Sequence, residues 1–101
     1  MIHVIASVQV KSGMVKEFLN IFRANVPIVR AEKGCIRYVP AVDISADLPP
    51  QVMDENMVTI IEEWESLDDL VNHLGAPHMI AYREKVSGIV ENVTLKVLKE
   101  V

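Results

Sequence analysis

The sequence contains few of the residues and motifs that mark several common protein classes. Cys35 is the only cysteine among 101 residues, so an internal disulfide is impossible. It lies in an apolar run with no adjacent base to activate it, and we predict a packed thiol rather than a nucleophile. No Gly-rich phosphate loop or Rossmann fingerprint is present, and we therefore expect no nucleotide or flavin cofactor.

Long runs of one residue type are also missing. No uninterrupted apolar run approaches the roughly 20 residues that cross a bilayer, and the first residues, MIHVIASVQVKSG, lack the basic region and cleavage site of a signal peptide. These absences predict a cytoplasmic protein with no membrane contact. The formal net charge is -4 and no long basic run occurs, so we expect no nucleic-acid partner.

Hydrophobic residues, in contrast, are plentiful. They make up 50% of a chain of 101 residues, which is long enough for a single domain spanning residues 1–101 and for one site. A domain this small has limited interior volume, so part of its apolar surface should remain outside the core. A homo-oligomer is therefore expected.

The spacing of apolar residues predicts an alternation of strands and helices. An amphipathic helix from Met14 should be capped by Ser12 and kinked or loosened near Ala24 by Pro27. Strand periodicity occurs over Ile2–Val10, Cys35–Val42, Met57–Trp64 and Val93–Val97, and Pro40 indicates an edge strand or a bulge. The acidic segment 43–56 has no period and predicts a long loop, either a lid or contact element or a mobile linker.

The stretch from Met57 to Arg83 has the clearest helix boundaries. Ser66 and Asp69 form a capping-box-like start for a helix over Leu67–His73, which Gly75 ends, and Pro77 suits the first turn of another helix. The predicted fold is therefore α+β, a ferredoxin-like split βαβ with a four-stranded antiparallel sheet. The strands carry apolar residues on both faces, so the face without helices should pair with a second sheet in a dimeric α/β barrel.

Several short motifs in this order resemble the antibiotic biosynthesis monooxygenase domain family. They are Glu32-x-Gly34-Cys35 before the second strand, Glu62-x-Trp64 at the end of the third, Leu70 and His73 in the next helix, and Pro77-His78. The resemblance covers nearly the whole chain and implies the dimeric α/β-barrel fold. It leaves the activity more open, because quinol monooxygenases, an isomerase of a phosphorylated signal molecule and haem-degrading enzymes share this scaffold.

The haem-degrading members offer a check by position. They use an asparagine in the first strand, a tryptophan after the third strand and a histidine as iron ligand, where this chain has Ser7, His73 and Arg83. None of the three matches, so the resemblance implies no haem cofactor, although iron ligation by His73 or His78 through another route stays open.

His73 and His78 are the candidate general bases, because imidazole titrates near neutrality. The dipole of the helix that begins at Pro77 should keep His78 neutral, whereas Asp69, four residues before His73, should orient and charge that ring. Each histidine could instead be a polar helix-end residue with a local hydrogen bond. As a metal pair they lack helical i,i+4 spacing and an obvious carboxylate partner, and we predict no metal.

A second group of residues is predicted to bind the substrate. Glu62 shares a strand face with Trp64, so its carboxylate should find Arg37 or Arg83, most simply as a structural ion pair, or take a proton. Trp64 offers a flat wall for an aromatic ring, or else belongs to the core. The full predicted set is Glu62, Trp64, Tyr82, Arg83, Tyr38, Phe22, Met79 and Ser7.

Together these features predict a cofactor-independent monooxygenase. The resemblance implies a small aromatic substrate, a hydroquinone or polycyclic phenol, that reacts with O2 to give a quinone after a histidine removes its phenolic proton. Two alternatives are an isomerase of a phosphorylated hydroxyketone, for which Arg37, Arg83 and Lys85 are the available cations, and a dimer that binds a ligand without catalysis.

Overall fold

The computed structural model describes all 101 residues and contains four strands and three helices. Their order is β1 (Ile2–Val10), α1 (Val15–Arg30), β2 (Cys35–Val42), β3 (Met57–Trp64), α2 (Leu67–Leu74), α3 (Pro77–Val86) and β4 (Val90–Leu98). This is the predicted strand, helix, strand, strand, helix, strand arrangement, with the second helical element in two pieces. None of the helices is both long and apolar enough to cross a membrane.

The four strands form one antiparallel sheet in the order β2-β3-β1-β4. β1 and β3 lie at its centre in continuous register, with Ile2 opposite Trp64 and Val8 opposite Val58. The predicted α+β ferredoxin-like fold is thereby confirmed. β2 is an edge strand, as Pro40 indicated, but its register shift falls between Cys35 and Arg37 rather than at the proline.

The helices cover one face of the sheet, and the core lies between them. Alternate residues of β1 and β3 point inward because side chains along a strand alternate between faces. Val4, Val10, Val58 and Trp64 are fully buried there, against Phe18 and Phe22 of α1. The opposite face has no helix, and Ile5, Val39 and Ile61 lie side by side on it, only partly buried.

The first helix departs from the prediction at its start. Met14 is the N-cap residue and no side chain caps the helix, because Gly13 in the left-handed region (φ 78°) places a turn between Ser12 and the first helical residue. The predicted Ser12 cap is therefore wrong. Pro27 lies within α1, which continues to Arg30, since a proline removes only one donor from the ladder.

Cys35 packs against the hydrophobic core, as predicted for a packed thiol, but it is only partly buried. The residue begins edge strand β2, where the register shift carries it to the margin of the core. Burial, followed by the charge of Glu32, raises the pKa of the thiol. A raised pKa keeps the sulfur protonated and unreactive, as expected for a residue without a catalytic role.

The loop of residues 43–56 has no regular secondary structure, as predicted. Its own polar groups hold it: the Gln51 amide bonds the backbone of Ala46 and Ile44, and Asp43 accepts the backbone N–H of Asp54. No residue of this loop lines a cavity of the structure. The geometry thus gives no support for a lid.

Gly34 should tolerate no side chain. Its φ is 81°, and an added Cβ would lie 2.1 Å from Oδ2 of Asp69. Gly34→Ala is expected to lower the free energy of unfolding by roughly 2 kcal/mol, because the backbone strain and the displacement of Asp69 add. Gly13→Ala is the matched control, since Gly13 has a φ of 78° but no atom within 4 Å. Equal losses in chemical denaturation of the two variants would contradict this account.

Candidate active site

A cavity of about 400 Å³ lies between the sheet and the three helices. Its walls are mostly apolar, and the polar groups that reach it are few, which is typical of small-molecule sites. The lining residues are Ala6, Val8, Phe22, Tyr38, Ile60, Glu62, His73, Leu74, Met79, Tyr82, Arg83, Val93 and Leu95. Of the eight residues predicted to bind the substrate, six line this cavity, and Trp64 and Ser7 do not. The six are Phe22, Tyr38, Glu62, Met79, Tyr82 and Arg83.

His73 is the most enclosed polar residue of this site, with an exposed fraction of 1%. It lies in the last turn of α2, which the predicted bond from the Asp69 N–H to the Ser66 hydroxyl (3.2 Å) fixes at its start. Nδ1 is 2.8 Å from Oε2 of Glu32, and the ring packs on Trp64 with centroids 4.6 Å apart. Nε2 has no hydrogen-bond partner in the protein, so it is the nitrogen available to a ligand.

The environment of His73 favours a neutral ring. Burial is the main cause that lowers its pKa from the ordinary value of 6.5, while the hydrogen bond and the charge of Glu32 act in the opposite direction. When Nδ1–H donates a hydrogen bond to the Glu32 carboxylate, the single proton of the neutral ring is on Nδ1 and Nε2 is unprotonated. His73 can therefore accept a proton from a molecule in the cavity.

His78 approaches the same carboxylate from the other side. Its Nε2 is 2.8 Å from Oε2 of Glu32, so one oxygen holds both imidazoles. The His78 side chain is 22% exposed and lines a separate cavity of about 230 Å³ between α1 and α3. The two histidines thus share Glu32 but face different spaces, and only His73 reaches the larger cavity.

Glu32 contacts both candidate histidines, and the sequence interpretation did not include it among the site residues. Asp69 was expected to orient His73, but Glu32 does so, because Asp69 packs closely against Gly34. Glu32 also supplies the carboxylate that a metal pair of histidines was thought to lack. The available signal was its place in the motif Glu32-x-Gly34-Cys35, directly before the second strand.

Glu62 is buried at the cavity wall without a cation. Trp64 Nε1 donates a 2.9 Å hydrogen bond to its Oε1, and Arg37 instead lies 3.7 Å from Glu63 on the uncovered face. The predicted ion pair with an arginine was therefore wrong, since Arg37 points to the opposite side of the sheet. Burial raises the pKa of Glu62 to about 7, although the indole hydrogen bond lowers it, and this carboxyl can take a proton near neutrality.

Trp64 and Ser7 do not form part of the cavity wall. The indole is completely buried, and it lies behind His73 and Glu62, so it supports these two side chains instead of meeting a substrate. Ser7 belongs to the alternate set of β1 residues that point away from the helices. Neither can contact a molecule in this cavity directly.

Aromatic rings make up the remaining wall. Phe22 stacks on Tyr38 with centroids 5.2 Å apart, and Tyr82 meets Phe22 edge-on at 5.9 Å. Burial is the main cause that raises the pKa of both tyrosines, so their phenols stay protonated and can donate hydrogen bonds. Arg83 also lines the cavity, but its guanidinium donates to the Leu74 carbonyl (2.9 Å), which ties α3 to the end of α2.

The fold and the site together define a small α+β enzyme with an apolar cavity and a buried histidine held by a partly exposed carboxylate. The family model for the antibiotic biosynthesis monooxygenases matches residues 1–85, and the chain belongs to that family. The chain is 38% identical over 101 residues to the protein of Escherichia coli K12 named "Probable quinol monooxygenase YgiN", covering 98% of this chain and 97% of that protein. It is accordingly a monooxygenase.

Solved structures support the same fold. The Rv0793 protein of Mycobacterium tuberculosis matches with a TM-score of 0.79 and 26% identity, covering 99% of this chain and 94% of that chain. A conserved protein of Methanosarcina mazei matches with a TM-score of 0.84 over 99% of this chain and 92% of that chain, and at 23% identity it supports the fold alone.

Proposed function

We propose that this protein oxidises a hydroquinone or polycyclic phenol with O2 to a quinone and needs no cofactor. The observation that carries the proposal is His73, which presents an unbonded Nε2 to an apolar cavity while Glu32 holds its Nδ1. The cavity of about 400 Å³ has room for a small aromatic ring system. A relative of 38% identity is named for quinol oxidation, which agrees with this substrate class.

In the proposed mechanism, His73 takes the phenolic proton through Nε2. The Glu32 carboxylate stabilises the imidazolium that forms, as a hydrogen-bonded carboxylate does for a catalytic histidine in other enzymes. The apolar walls exclude water from the electron-rich phenolate, and the aromatic rings of Phe22, Tyr38 and Tyr82 orient it. His78 acts as a positioning residue, since its bond to Glu32 fixes the carboxylate.

The substrate provides all the electrons. The phenolate gives one electron to O2, and the two radicals recombine to a peroxide on carbon. The C–H bond of that carbon and the O–O bond then break. One oxygen atom stays as a carbonyl of the quinone, and the other leaves with that hydrogen as hydroxide, which takes the proton from His73 and becomes water. Because substrate and O2 balance this reaction by themselves, an external reductant is not required.

Oxygen consumption with a panel of quinols tests the proposal. With at least one naphthohydroquinone or polycyclic phenol, metal-free protein should consume O2 and form an equal amount of a quinone that contains one added oxygen atom. Quinol binding without O2 uptake would instead favour the ligand-binding alternative, and O2 uptake by none of the panel would overturn the proposal. Autoxidation is corrected with heat-denatured protein.

Isomerisation of a phosphorylated hydroxyketone is less well matched by the site. Arg83 is the only cation at the larger cavity, and its guanidinium bonds the Leu74 carbonyl. Arg37 lies near Glu63 on the other face of the sheet, and Lys85 lines the smaller cavity. A phosphate group would need more positive charge than Arg83 provides. Glu62, at the same wall, would also repel it when ionised.

We also propose that two copies of the chain pair through the uncovered sheet face. Ile5, Val39 and Ile61 form an apolar centre there, which Ser7 and Thr59 flank. Ile61→Glu should convert a dimer into a monomer of 11.3 kDa by light scattering. Val71→Glu is the control, because Val71 is an exposed apolar residue on α2, away from that face. A wild-type monomer at micromolar concentration would contradict the proposal.

A further inference from the structure

We propose that Glu32, His73 and His78 form a binding site for a divalent transition-metal ion of the zinc class, and that the bound ion inhibits the enzyme. One oxygen of Glu32 lies 2.8 Å from Nδ1 of His73 and 2.8 Å from Nε2 of His78. All three donor atoms lie within 4.8 Å of one another. Two imidazoles and one carboxylate are a ligand set that zinc uses in proteins.

Enclosing an ion requires the donor atoms to shift: both nitrogens must move away from the Glu32 oxygen, and the two nitrogens, which lie within 4.8 Å of each other, must adopt the same spacing. Two donors bound tetrahedrally at about 2.1 Å lie roughly 3.4 Å apart, so each short contact would open by about half an ångström. The donors come from the turn before β2, the last turn of α2 and the first turn of α3. Ends of elements adjust more readily than their centres. Glu32 and His78 are each partly exposed, so both can follow the ion.

Charge and access both favour a cation. The carboxylate of Glu32 provides a negative charge for two imidazoles that bind metals in their neutral form. His73 is buried, but His78 lines the cavity of about 230 Å³ between α1 and α3. This cavity is a route for an ion that does not pass through the proposed substrate cavity. Water in the smaller cavity could complete the coordination shell.

Metal binding would reverse the hydrogen-bonding role of His73, a consequence that rests on the proposed function. Coordination through Nδ1 leaves the single proton of the neutral ring on Nε2. That nitrogen can then donate a hydrogen bond into the larger cavity but cannot accept a phenolic proton. The ion also displaces the contact between Glu32 and His73 that would stabilise an imidazolium.

Binding is tested with Co²⁺, whose visible absorption reports its ligands, on protein freed of metal with EDTA. Wild-type protein should bind one Co²⁺ per chain with the intense spectrum of a four-coordinate site, and one equivalent of Zn²⁺ should bleach it. Glu32→Gln and His78→Ala should each weaken Co²⁺ binding at least tenfold. Loss of a residue that only hydrogen-bonds to a metal ligand already lowers metal affinity about 10- to 100-fold, and both of these residues are proposed ligands.

His3→Ala provides the matched control. His3 also lies near a carboxylate, 3.2 Å from Oε2 of Glu100, but it is at the surface and far along the chain from the proposed ligands. This variant should bind Co²⁺ as the wild type does. A wild type without the spectrum, or binding that is lost in His3→Ala and retained in Glu32→Gln, would overturn the metal site. Circular dichroism confirms that each variant is folded.

Inhibition is measured separately from binding. Quinol turnover by the EDTA-treated wild type should fall in proportion to Zn²⁺ occupancy and recover when EDTA is added. Unchanged or increased turnover at full occupancy would overturn the inhibitory role while leaving the site itself established. Because turnover is first measured without metal, failure of the proposed quinol activity is recognised independently of the metal experiment.

Discussion

Replacing His73 by alanine is expected to lower kcat/KM for the quinol by about 10²- to 10⁴-fold, the usual contribution of a positioned general base. The reason is geometric: His73 is the only histidine that lines the larger cavity, and its Nε2 is free to accept a proton. His73→Gln should be equally inactive, although its amide can still bond to Glu32. That second variant separates proton transfer from loss of packing, because it leaves a smaller void in the core than alanine does.

The losses of kcat/KM in the other histidine variants should differ in size. His78→Ala keeps the base in place but removes one bond to Glu32, so we expect a smaller loss, of roughly tenfold, and His3→Ala should have wild-type activity. The measurement is kcat/KM by quinone absorbance, beside thermal unfolding of each variant. Full activity in a folded His73→Gln protein would contradict the role of His73. A larger loss in His78→Ala than in His73→Gln would assign the base to His78.

Replacing Glu62 by glutamine is expected to stabilise the protein at alkaline pH. The pKa of Glu62 is raised from 4.5 to about 7, so the folded state holds a proton that the unfolded chain loses. The contribution of Glu62 to the stability of the wild type is therefore greatest below pH 4.5, and it is lost as the pH rises to about 7. The full loss is about 3 kcal/mol, since one pKa unit corresponds to about 1.4 kcal/mol.

Glutamine removes this charge and retains an oxygen that can accept the Trp64 N–H. The free energy of unfolding of Glu62→Gln, measured in urea, should exceed that of the wild type by an increment that grows across the pH range 4.5 to about 7. His73, with its lowered pKa, acts in the opposite direction below 6.5, but it is present in both proteins and cancels in the difference. Glu63→Gln on the other face is the control. A constant difference at all pH values would contradict the raised pKa.

Local patterns in the sequence were sufficient to predict the fold. The alternation in β1 and β3 placed Val58, Ile60, Glu62 and Trp64 on one face, and all four are buried. Ser66 and Pro77 marked the starts of α2 and α3 correctly, because capping and the missing proline N–H act within one turn. The Ser12 cap failed because the glycine that follows it can adopt a conformation that shifts the helix start.

The site itself depends on contacts that no local pattern contains. Glu32 contacts His73 and His78, which lie 41 and 46 positions further along the chain. Only the packing of α2 and α3 beside β2 brings the three side chains together. The hydrogen-bond donor to Glu62 could not be predicted from the sequence either. Arginine was the expected donor for a buried carboxylate, yet the indole two residues away on the same strand face was nearer. The histidines could be named from the sequence, but their carboxylate could not.

The position of the single tryptophan gives the protein a built-in optical reporter. Trp64 donates to Glu62 and lies against His73, and no other indole contributes to the emission of the chain. Its fluorescence therefore originates entirely beside the cavity. Ionisation of the carboxyl, protonation of the imidazole or arrival of a ligand would each change the field around the same chromophore. Events in the site can thus be followed by intrinsic emission, without a label and without turnover.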